Sequence, residues 1–313
     1  MGIKWRWLVV VALVVIGGGI NPVLAFRVGT WKTAQTIQPY YYQRFAGEKT
    51  QVIAFSNPSD QKTALLAGDL DFCGTTLPHA IHSASLGQPV VVVAALCNKC
   101  SALVVKKGSG VGDIKGLLGK KIGYIPGSIH EVLLRETLIR NGLSPDHDVR
   151  LTRVDFFDMG TALARGGIDA YLSGEPFPSI AETKGYGQIL AYPYYGESLG
   201  FINAGMLVTE KRIRRDPEGV YRMVLAHVRA TQYLEDHPRE WLKKASGFGT
   251  PLAVLEAAAA NMELAWDMDR TFIRRVKALG ERMEALGIIR KQPDYDRLFD
   301  LRFVERIKGE ENF

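Results

Sequence analysis

Short apolar runs and segments with helical periodicity alternate along the first two thirds of this chain. The run at 89–94 is continuously apolar, which is typical of a strand buried on both faces. Further strands are predicted at 26–30, 50–55, 120–124, 149–154 and 170–172, and helices at 40–45, 60–67, 130–141 and 160–165. This alternation predicts an α/β fold with mainly parallel sheets flanked by helices.

Two segments of the chain nearly repeat each other. Residues 64–71 and 162–169 both read A-L-x-x-G-x-[LI]-D, and a short strand is predicted after each. The glycine suits a helix end in the left-handed conformation, and the aspartate leads the chain into the next strand. One copy in each half indicates two similar lobes, although two unrelated helix-to-strand turns can also resemble each other by chance.

The expected lobe boundaries follow from two apolar strands at 102–105 and 204–208, which are interpreted as crossings between the lobes. Lobe 1 then comprises 26–103 together with 206–313, and lobe 2 comprises 104–205. From Asp216 onward the pattern is almost wholly helical, so lobe 1 carries a helical C-terminal region. The length of the chain also favours two lobes over a single core.

The amino terminus has the pattern of a secretory signal peptide over 1–25. Lys4 and Arg6 precede an apolar run at 8–16, and small residues up to Ala25 suit cleavage there. An uncleaved membrane anchor is the alternative, but this run is far shorter than the roughly 20 residues that span a bilayer. No cysteine for a lipid anchor follows it. We therefore expect export to the periplasm and no stable membrane insertion after cleavage.

The composition is that of an ordinary globular protein, with 47% hydrophobic and 23% charged residues. The formal charge of +6 falls to +4 without the basic residues of the leader, leaving 37 basic against 33 acidic residues. The basic cluster at 211–215 is interpreted as a solvated helix face, and no nucleic-acid-binding motif is present. Nucleic acid is therefore not an expected partner.

The order of several short motifs resembles the periplasmic substrate-binding proteins of ABC importers for nitrate, sulfonates, taurine and thiamine-type pyrimidines. The matching segments are 27–29, 64–71, 87–94, 114–123, 126–128, 162–171, 175–177 and 295–300. The resemblance implies a type II two-lobed periplasmic binding protein that closes on a small ligand and delivers it to an ABC permease with its ATPase. It implies no enzymatic activity and no cofactor, and a monomer is the default for such binders.

The ligand site is expected in the cleft between the lobes, at loops that follow the carboxyl ends of strands. Trp31 is suited to stacking on a planar group and Lys32 to neutralising an anion. The loop at 126–130 opens a helix, whose free amides suit a carboxylate, sulfonate or phosphate. The ligand is therefore expected to be a small anionic or polar organic molecule. The complete set of ligand-binding candidates is Thr30, Trp31, Lys32, Asn57, Ser59, Cys73, Gly74, Thr75, Asn98, Cys100, Gly127, Ser128, Ile129, Phe156 and Glu175.

Several of these candidates also have an ordinary structural interpretation. Asn57 and Ser59 precede a helix and are equally suited to capping it. Trp31 and Phe156 are large aromatic residues, which commonly pack in a core or between lobes. The loop at 126–130 would look the same in a plainly capped helix.

Two of the three cysteines, Cys97 and Cys100, form a C-x-x-C motif just before a predicted crossing strand. A disulfide that pins this loop is one interpretation, since an oxidising compartment allows it. The other is a soft-ligand site, in which Cys73 joins Cys97 and Cys100 to bind a thiophilic metal, an organometal or a sulfur compound. The topology implied by the resemblance places the two cysteine loops at neighbouring strand ends. No other metal site is expected.

A rival function from another class is enzymatic. A pyrimidine-synthesising branch of the same superfamily uses this fold in the cytosol, with a cysteine-rich motif. The leader argues against this alternative, and so does the lack of a contiguous cysteine run. The expectation from sequence is therefore a binding protein without enzymatic activity.

Overall fold

The computed structural model describes residues 25–195 and 199–311. The leader predicted over 1–25 lies almost wholly outside the described residues and stays a prediction. In chain order the strands are β1 Phe26–Thr30, β2 Thr50–Ala54, β3 Phe72–Thr76, β4 Val90–Lys99, β5 Ser101–Lys106, β6 Lys121–Tyr124, β7 Arg150–Arg153, β8 Ala170–Gly174, β9 Gly187–Ala191, β10 Ile202–Thr209 and β11 Met262–Leu264.

The helices are α1 Tyr42–Ala46, α2 Pro58–Ala67, α3 Leu77–Ser85, α4 Ile129–Arg140, α5 Met159–Ala164, α6 Phe177–Thr183, α7 Glu210–Arg215, α8 Pro217–Asp236, α9 Pro238–Ser246, α10 Leu252–Ala258, α11 Arg270–Ala285, α12 Tyr295–Leu298 and α13 Arg302–Glu311. Short 3-10 turns occupy Ala34–Thr36, Gln38–Tyr41, Lys115–Leu117 and Ala259–Asn261. Across residues 25–195 and 199–311, none of these helices is long and apolar enough to cross a membrane.

The strands form two sheets, in agreement with the predicted two-lobed α/β fold. The first sheet has the order β11-β4-β10-β3-β1-β2 and the second has the order β7-β6-β8-β5-β9. Parallel pairs occur at β1–β2, β1–β3, β6–β7 and β6–β8, while β10, β11, β5 and β9 pair antiparallel. Each sheet therefore contains more antiparallel pairs than expected. The cause is that β5 and β10, which follow the two passages between the sheets, are antiparallel to the strands beside them.

The repeated motif performs the same structural task in both sheets. Gly68 and Gly166 have positive φ values of 86° and 75° at the ends of α2 and α5. The Asp71 carboxylate accepts from the Arg27 amide at 2.9 Å, and the Asp169 carboxylate accepts from the Lys121 amide at 2.8 Å. Each aspartate therefore fixes the start of a neighbouring parallel strand, β1 in one sheet and β6 in the other.

The chain passes from the first sheet to the second between β4 and β5. Lys99 and Cys100 have positive φ values of 57° and 67°, which non-glycine residues rarely adopt. The return passage lies between β9 and β10. The first crossing between the sheets therefore lies at the sharp turn of Lys99 and Cys100, before β5. The sequence analysis had placed this crossing in the strand at 102–105. The lobe boundaries expected from the sequence stay a prediction.

Candidate functional site

A cavity lies between the carboxyl ends of strands from both sheets. Its volume of about 30 Å³ leaves room for roughly two water molecules. The first sheet contributes residues around β1, β3, β4 and β10, and the second contributes residues after β6 and β7. The lining consists of Trp31, Thr33, Gln35, Thr36, Pro58, Thr76, Cys97, Cys100, Ile125, Ser128, His130, Phe156 and Asn203.

One side of the cavity is aromatic. Phe156 stacks on His130 with ring centroids 5.9 Å apart and an interplanar angle of 29°. Phe177 supports Phe156 edge-on at 4.8 Å, which holds the ring in place. Trp31 is 8% exposed and contributes an indole from the first sheet. These flat faces suit a planar ligand group.

Two side-chain amides present acceptors to the cavity. Gln35 Nε2 donates to the Glu175 carbonyl at 2.7 Å, so its Oε1 is fixed as an acceptor and has no partner among the described residues. Asn203 Nδ2 donates to the Lys99 carbonyl at 2.7 Å and to Cys100 Sγ at 3.1 Å. Both hydrogens of the Asn203 amide are thus used within the protein. Because a buried acceptor without a donor costs free energy, Gln35 Oε1 favours a ligand with N–H or O–H groups.

The lining residues of the described chain include no lysine or arginine. The start of α4, expected from sequence to attract an anion, already has a carboxylate. Ser128 Oγ accepts from the Glu131 amide at 3.4 Å, and Glu131 Oε2 accepts from the Gly127 amide at 2.6 Å. This arrangement is close to a capping box, and its carboxylate offsets the positive end of the helix.

Burial also keeps the imidazole at the cavity uncharged. Desolvation lowers the pKa of His130 to about 3, so the ring is neutral at physiological pH. Behind the cavity, burial raises the pKa of Glu175, while hydrogen bonds from Asn261 and Ser179 oppose this shift. The cavity thus has polar and aromatic walls with little formal charge.

Four of the sequence-predicted ligand residues line the cavity, namely Trp31, Cys100, Ser128 and Phe156. Other predicted residues are buried beside it without lining it. Thr30 donates to the Thr36 carbonyl at 2.7 Å, Thr75 contacts the Pro58 carbonyl, and the Glu175 carboxylate contacts Asn261. The remaining members of this buried group are Cys73, Gly74 and Ile129.

The rest of the predicted residues have other contacts. Asn57 Oδ1 accepts from the Ser59 amide at 2.8 Å and so caps α2, which is the structural interpretation given to this pair. Asn98 donates to Glu263 at 2.8 Å. Lys32 is exposed and does not line the cavity. Gly127 lies opposite the His79 ring at the edge of the cleft.

The sequence did not place five of the lining residues in a ligand loop, namely Thr33, Gln35, Thr36, Ile125 and Asn203. Pro58, Thr76 and His130 lie in loops expected to face the cleft, but they were not in the candidate set. Thr33, Gln35 and Thr36 belong to the polar turn after β1, and this position beside Trp31 is the signal by which they could have been found. Asn203 immediately precedes the apolar part of β10 and carries no local signal.

The cysteines differ from both sequence interpretations. All three are free and buried, so the expected Cys97–Cys100 disulfide is not formed in the structure. The predicted three-cysteine site is also wrong, because β10 lies between β3 and β4. Cys73 pairs with Leu207 of β10 and Cys97 pairs with Ala204, an offset of about 10 Å along the strand. No group of three potential metal ligands occurs within the described ranges.

The profile of the NMT1/THI5-like family matches residues 40–241, which is more than half of the chain. The chain belongs to this family. The recognition made from the sequence motifs is confirmed by this match and by the solved structures of similar fold described below.

Curated relatives of this chain include both enzymes and binding proteins. A 4-amino-5-hydroxymethyl-2-methylpyrimidine phosphate synthase of Schizosaccharomyces pombe is 30% identical over 130 residues, covering 41% of this chain and only 36% of that enzyme. The enzyme of the same name from Candida albicans is 26% identical, covering 67% of each chain. A putative aliphatic sulfonates-binding protein of Bacillus subtilis is 28% identical, covering 61% of this chain and 57% of the relative. The inference that membership excludes enzymatic activity is wrong, because relatives in this family are named as synthases.

Solved structures establish the fold. The alkanesulfonate-binding protein SsuA of Xanthomonas axonopodis bound to MOPS has a TM-score of 0.79 at 21% identity, covering 88% of this chain and 98% of that one. A ligand-binding component of an ABC-type import system from Staphylococcus aureus also has a TM-score of 0.79, at 16% identity, covering 90% and 98%. The periplasmic aliphatic sulphonate binding protein SsuA of Escherichia coli has 0.72 at 18% identity, covering 88% and 96%.

Proposed function

We propose that this protein is an exported solute-binding protein that captures a small polar organic molecule between its two sheets and delivers it to an ABC permease. The observation that carries the proposal is the lining of the cavity, which combines the aromatic rings of Trp31 and Phe156 with the buried acceptor oxygen of Gln35. The fold of periplasmic binding proteins supports the delivery step, and the leader predicted at 1–25 supports export.

The chemistry of the lining favours an uncharged ligand over an anion. Trp31 and Phe156 suit a planar ring, while Gln35 Oε1 requires a hydrogen-bond donor. An aromatic nitrogen ring with an amino group has both properties. The relatives named as aminopyrimidine synthases support this class of ligand.

Ligand entry requires the two sheets to separate. A cavity of about 30 Å³ holds roughly two waters, whereas small-molecule sites usually measure several hundred Å³. The turn at Lys99 and Cys100 and the segment between β9 and β10 are the two passages between the sheets. Rotation at these passages opens the cavity, and closure on the ligand gives a form that a permease distinguishes from the empty one.

The test uses the protein purified from the periplasm of its producing cells, analysed by native mass spectrometry and by thermal unfolding with added solutes. We expect an aminopyrimidine to bind with one-to-one stoichiometry and to raise the melting temperature. Ethanesulfonate, which is anionic and carries no N–H group, is the matched comparison and is expected to have no effect. Stabilisation by ethanesulfonate alone would contradict the proposed ligand class, and a cytosolic protein would contradict export.

A second candidate function is pyrimidine synthesis by the same cavity. The relatives named as synthases favour it, and the cavity contains side chains capable of chemistry, namely His130, Cys97 and Cys100. The two functions differ in turnover. A binder releases at most one equivalent of unchanged ligand, whereas a synthase produces a pyrimidine in excess of the protein. Quantifying pyrimidines by mass spectrometry after incubation with cell extract separates the two.

A further inference from the structure

Cys97 and Cys100 place two free thiols on the wall of one small cavity. Both side chains are at least 97% buried, with exposed fractions of 2% and 3%, and both contribute to the lining. Cys97 lies in β4 and Cys100 directly follows that strand, so the chain holds their Cα atoms within about 10 Å of each other. The two sulfurs are thus soft donor atoms in a site whose other walls are aromatic, aliphatic and polar side chains.

One hydrogen bond to a cysteine sulfur is well defined, because Asn203 Nδ2 donates to Cys100 Sγ at 3.1 Å. Burial raises the pKa of both Cys97 and Cys100, so each thiol keeps its proton at neutral pH and gives it up when a metal or metalloid takes its place. The hydrogen bond from Asn203 opposes this shift at Cys100.

The backbone at Cys100 holds its side chain in place. The φ value of 67° at Cys100 follows one of 57° at Lys99, and this conformation is unfavourable for a residue with a Cβ. The Glu175 amide donates to the Cys100 carbonyl, and the Cys100 amide donates to the Asn261 carbonyl, both at 2.7 Å. The surrounding strands therefore maintain an unfavourable backbone conformation at the residue whose sulfur enters the cavity.

The size of the cavity agrees with an occupant of atomic dimensions. About 30 Å³ accommodates a single metal or metalloid atom, and an organic substituent on that atom enters when the two sheets separate. We infer that Cys97 and Cys100 form a two-thiolate site for a soft, thiophilic metal or metalloid centre. Soft centres of this kind favour thiolate ligands, and the site requires only two.

The chemistry is ligand exchange without electron transfer. With a monosubstituted arsenic(III) oxide, two S–H bonds break and two As–S bonds form, while the arsenic-bound oxygen leaves with both protons as water. Oxidation states of sulfur and arsenic do not change, so no oxidant or reductant is needed. The organic substituent on arsenic would lie toward the aromatic side formed by Trp31 and Phe156.

This inference is independent of the proposed solute capture, because it concerns the sulfurs alone. The test treats the folded full-length mature protein with phenylarsine oxide and follows the intact mass. We expect one phenylarsine group per chain and loss of one water, reversed by ethanedithiol. Peptide mapping with a thiol alkylating reagent is expected to show Cys97 and Cys100 protected together while Cys73 is unaffected.

Matched variants separate the site from general thiol reactivity. Cys97→Ser and Cys100→Ser are each expected to weaken binding by about 100-fold or more, because the second As–S bond is intramolecular and its loss removes a high effective concentration. Cys73→Ser, which changes a cysteine outside the cavity, is expected to bind as the parent protein does.

Three outcomes would overturn the inference. They are unchanged binding in either cavity variant, an adduct that includes Cys73, and an adduct that forms only after unfolding in urea. Peptide mapping of the parent protein decides the matter if a variant fails to fold. Aminopyrimidine binding is measured separately by thermal unfolding, so failure of the arsenical result leaves the proposed function intact.

Discussion

Gln35 and Glu175 lie 140 positions apart in the chain, yet the side-chain amide of Gln35 donates to the main-chain carbonyl of Glu175 at 2.7 Å. Gln35 follows β1 of the first sheet, and Glu175 follows β8 of the second. This hydrogen bond therefore joins the two sides of the cavity. It also orients Gln35 so that Oε1 is available to a ligand, which couples ligand contact to the closed arrangement of the sheets.

Replacing Gln35 by methionine is expected to weaken ligand binding. The variant keeps the side-chain length but loses both the hydrogen bond to Glu175 and the acceptor oxygen. The net contribution of one hydrogen bond is about 1 kcal/mol. Loss of the bond to Glu175 and of the bond to the ligand therefore predicts a fall in affinity of roughly 10- to 30-fold. Isothermal titration calorimetry with the ligand identified by native mass spectrometry measures this change.

Gln38→Met is the control for Gln35→Met. Gln38 is fully buried and donates to the Leu96 carbonyl at 2.8 Å, but it does not line the cavity. Its replacement is expected to lower stability while leaving ligand affinity unchanged. Equal losses of affinity in both variants would indicate a general effect on the fold and would contradict the role assigned to Gln35.

The sequence carried local information about the fold and little about contacts across the cleft. The repeated motif identified the turns at Asp71 and Asp169 because the glycine and the aspartate act within a few residues of each other. Trp31 and Phe156 were also found, since each follows a predicted strand. The roles of Gln35 and Asn203 depend on hydrogen bonds over 140 and 103 positions, which no local pattern contains.

The error over Cys73 has a related cause. The topology implied by the resemblance placed the Cys73 loop and the Cys97–Cys100 loop at neighbouring strand ends. In the structure β10, which comes more than 100 positions later, inserts between them. The insertion moves Cys73 away from Cys97, and a pattern read along the chain does not show where a distant strand will pair.

The turn between β4 and β5 predicts a difference between two substitutions of Lys99. Asparagine tolerates a positive φ, whereas valine does not, and both remove the ion pair with Glu263 at 3.1 Å. Lys99→Val is therefore expected to be about 1–2 kcal/mol less stable than Lys99→Asn. Chemical denaturation measures both values. Equal stabilities would show that the turn relaxes without cost.

The charge of the cavity predicts how salt affects ligand binding. The described lining includes no lysine or arginine, so ligand affinity is expected to change less than about twofold between 0.05 and 0.5 M salt. Lys32→Ala is expected to leave affinity unchanged, because Lys32 is exposed and outside the lining. A strong loss of affinity with salt or in Lys32→Ala would indicate that an anion is bound through Lys32, as the sequence suggested.

His227 of α8 is held as a neutral ring in the core. Tyr42 donates to its Nδ1 at 2.8 Å, and its Nε2–H donates to the carbonyls of Ala95 and Ala265 at 2.7 and 3.0 Å. Protonation of Nδ1 would place a hydrogen against the Tyr42 hydroxyl. Burial lowers the pKa of His227 to about 4, and that of His79 to about 3. Burial also lowers the pKa of His130 at the cavity to about 3.

These histidines predict a loss of stability at acidic pH. Their pKa values in the folded protein lie below the unfolded value of 6.5, so the unfolded chain binds more protons and stability falls as pH decreases from 6.5 toward 4. His227 alone accounts for about 3 kcal/mol over this range. Glu175, whose pKa burial raises, acts in the opposite direction, since its stabilising effect is lost as pH rises through the folded pKa.

His227→Gln isolates the contribution of this histidine. Glutamine keeps a donor toward Ala95 but does not titrate, so the slope of unfolding free energy between pH 6.5 and 4 is expected to fall by up to about 1.4 kcal/mol per pH unit. His147→Gln, at an exposed position, is the control for the histidine-to-glutamine change itself. Urea denaturation at a series of pH values measures all three proteins. Parallel curves for His227→Gln and the parent would show that His227 binds its proton as readily in the folded core as in the unfolded chain.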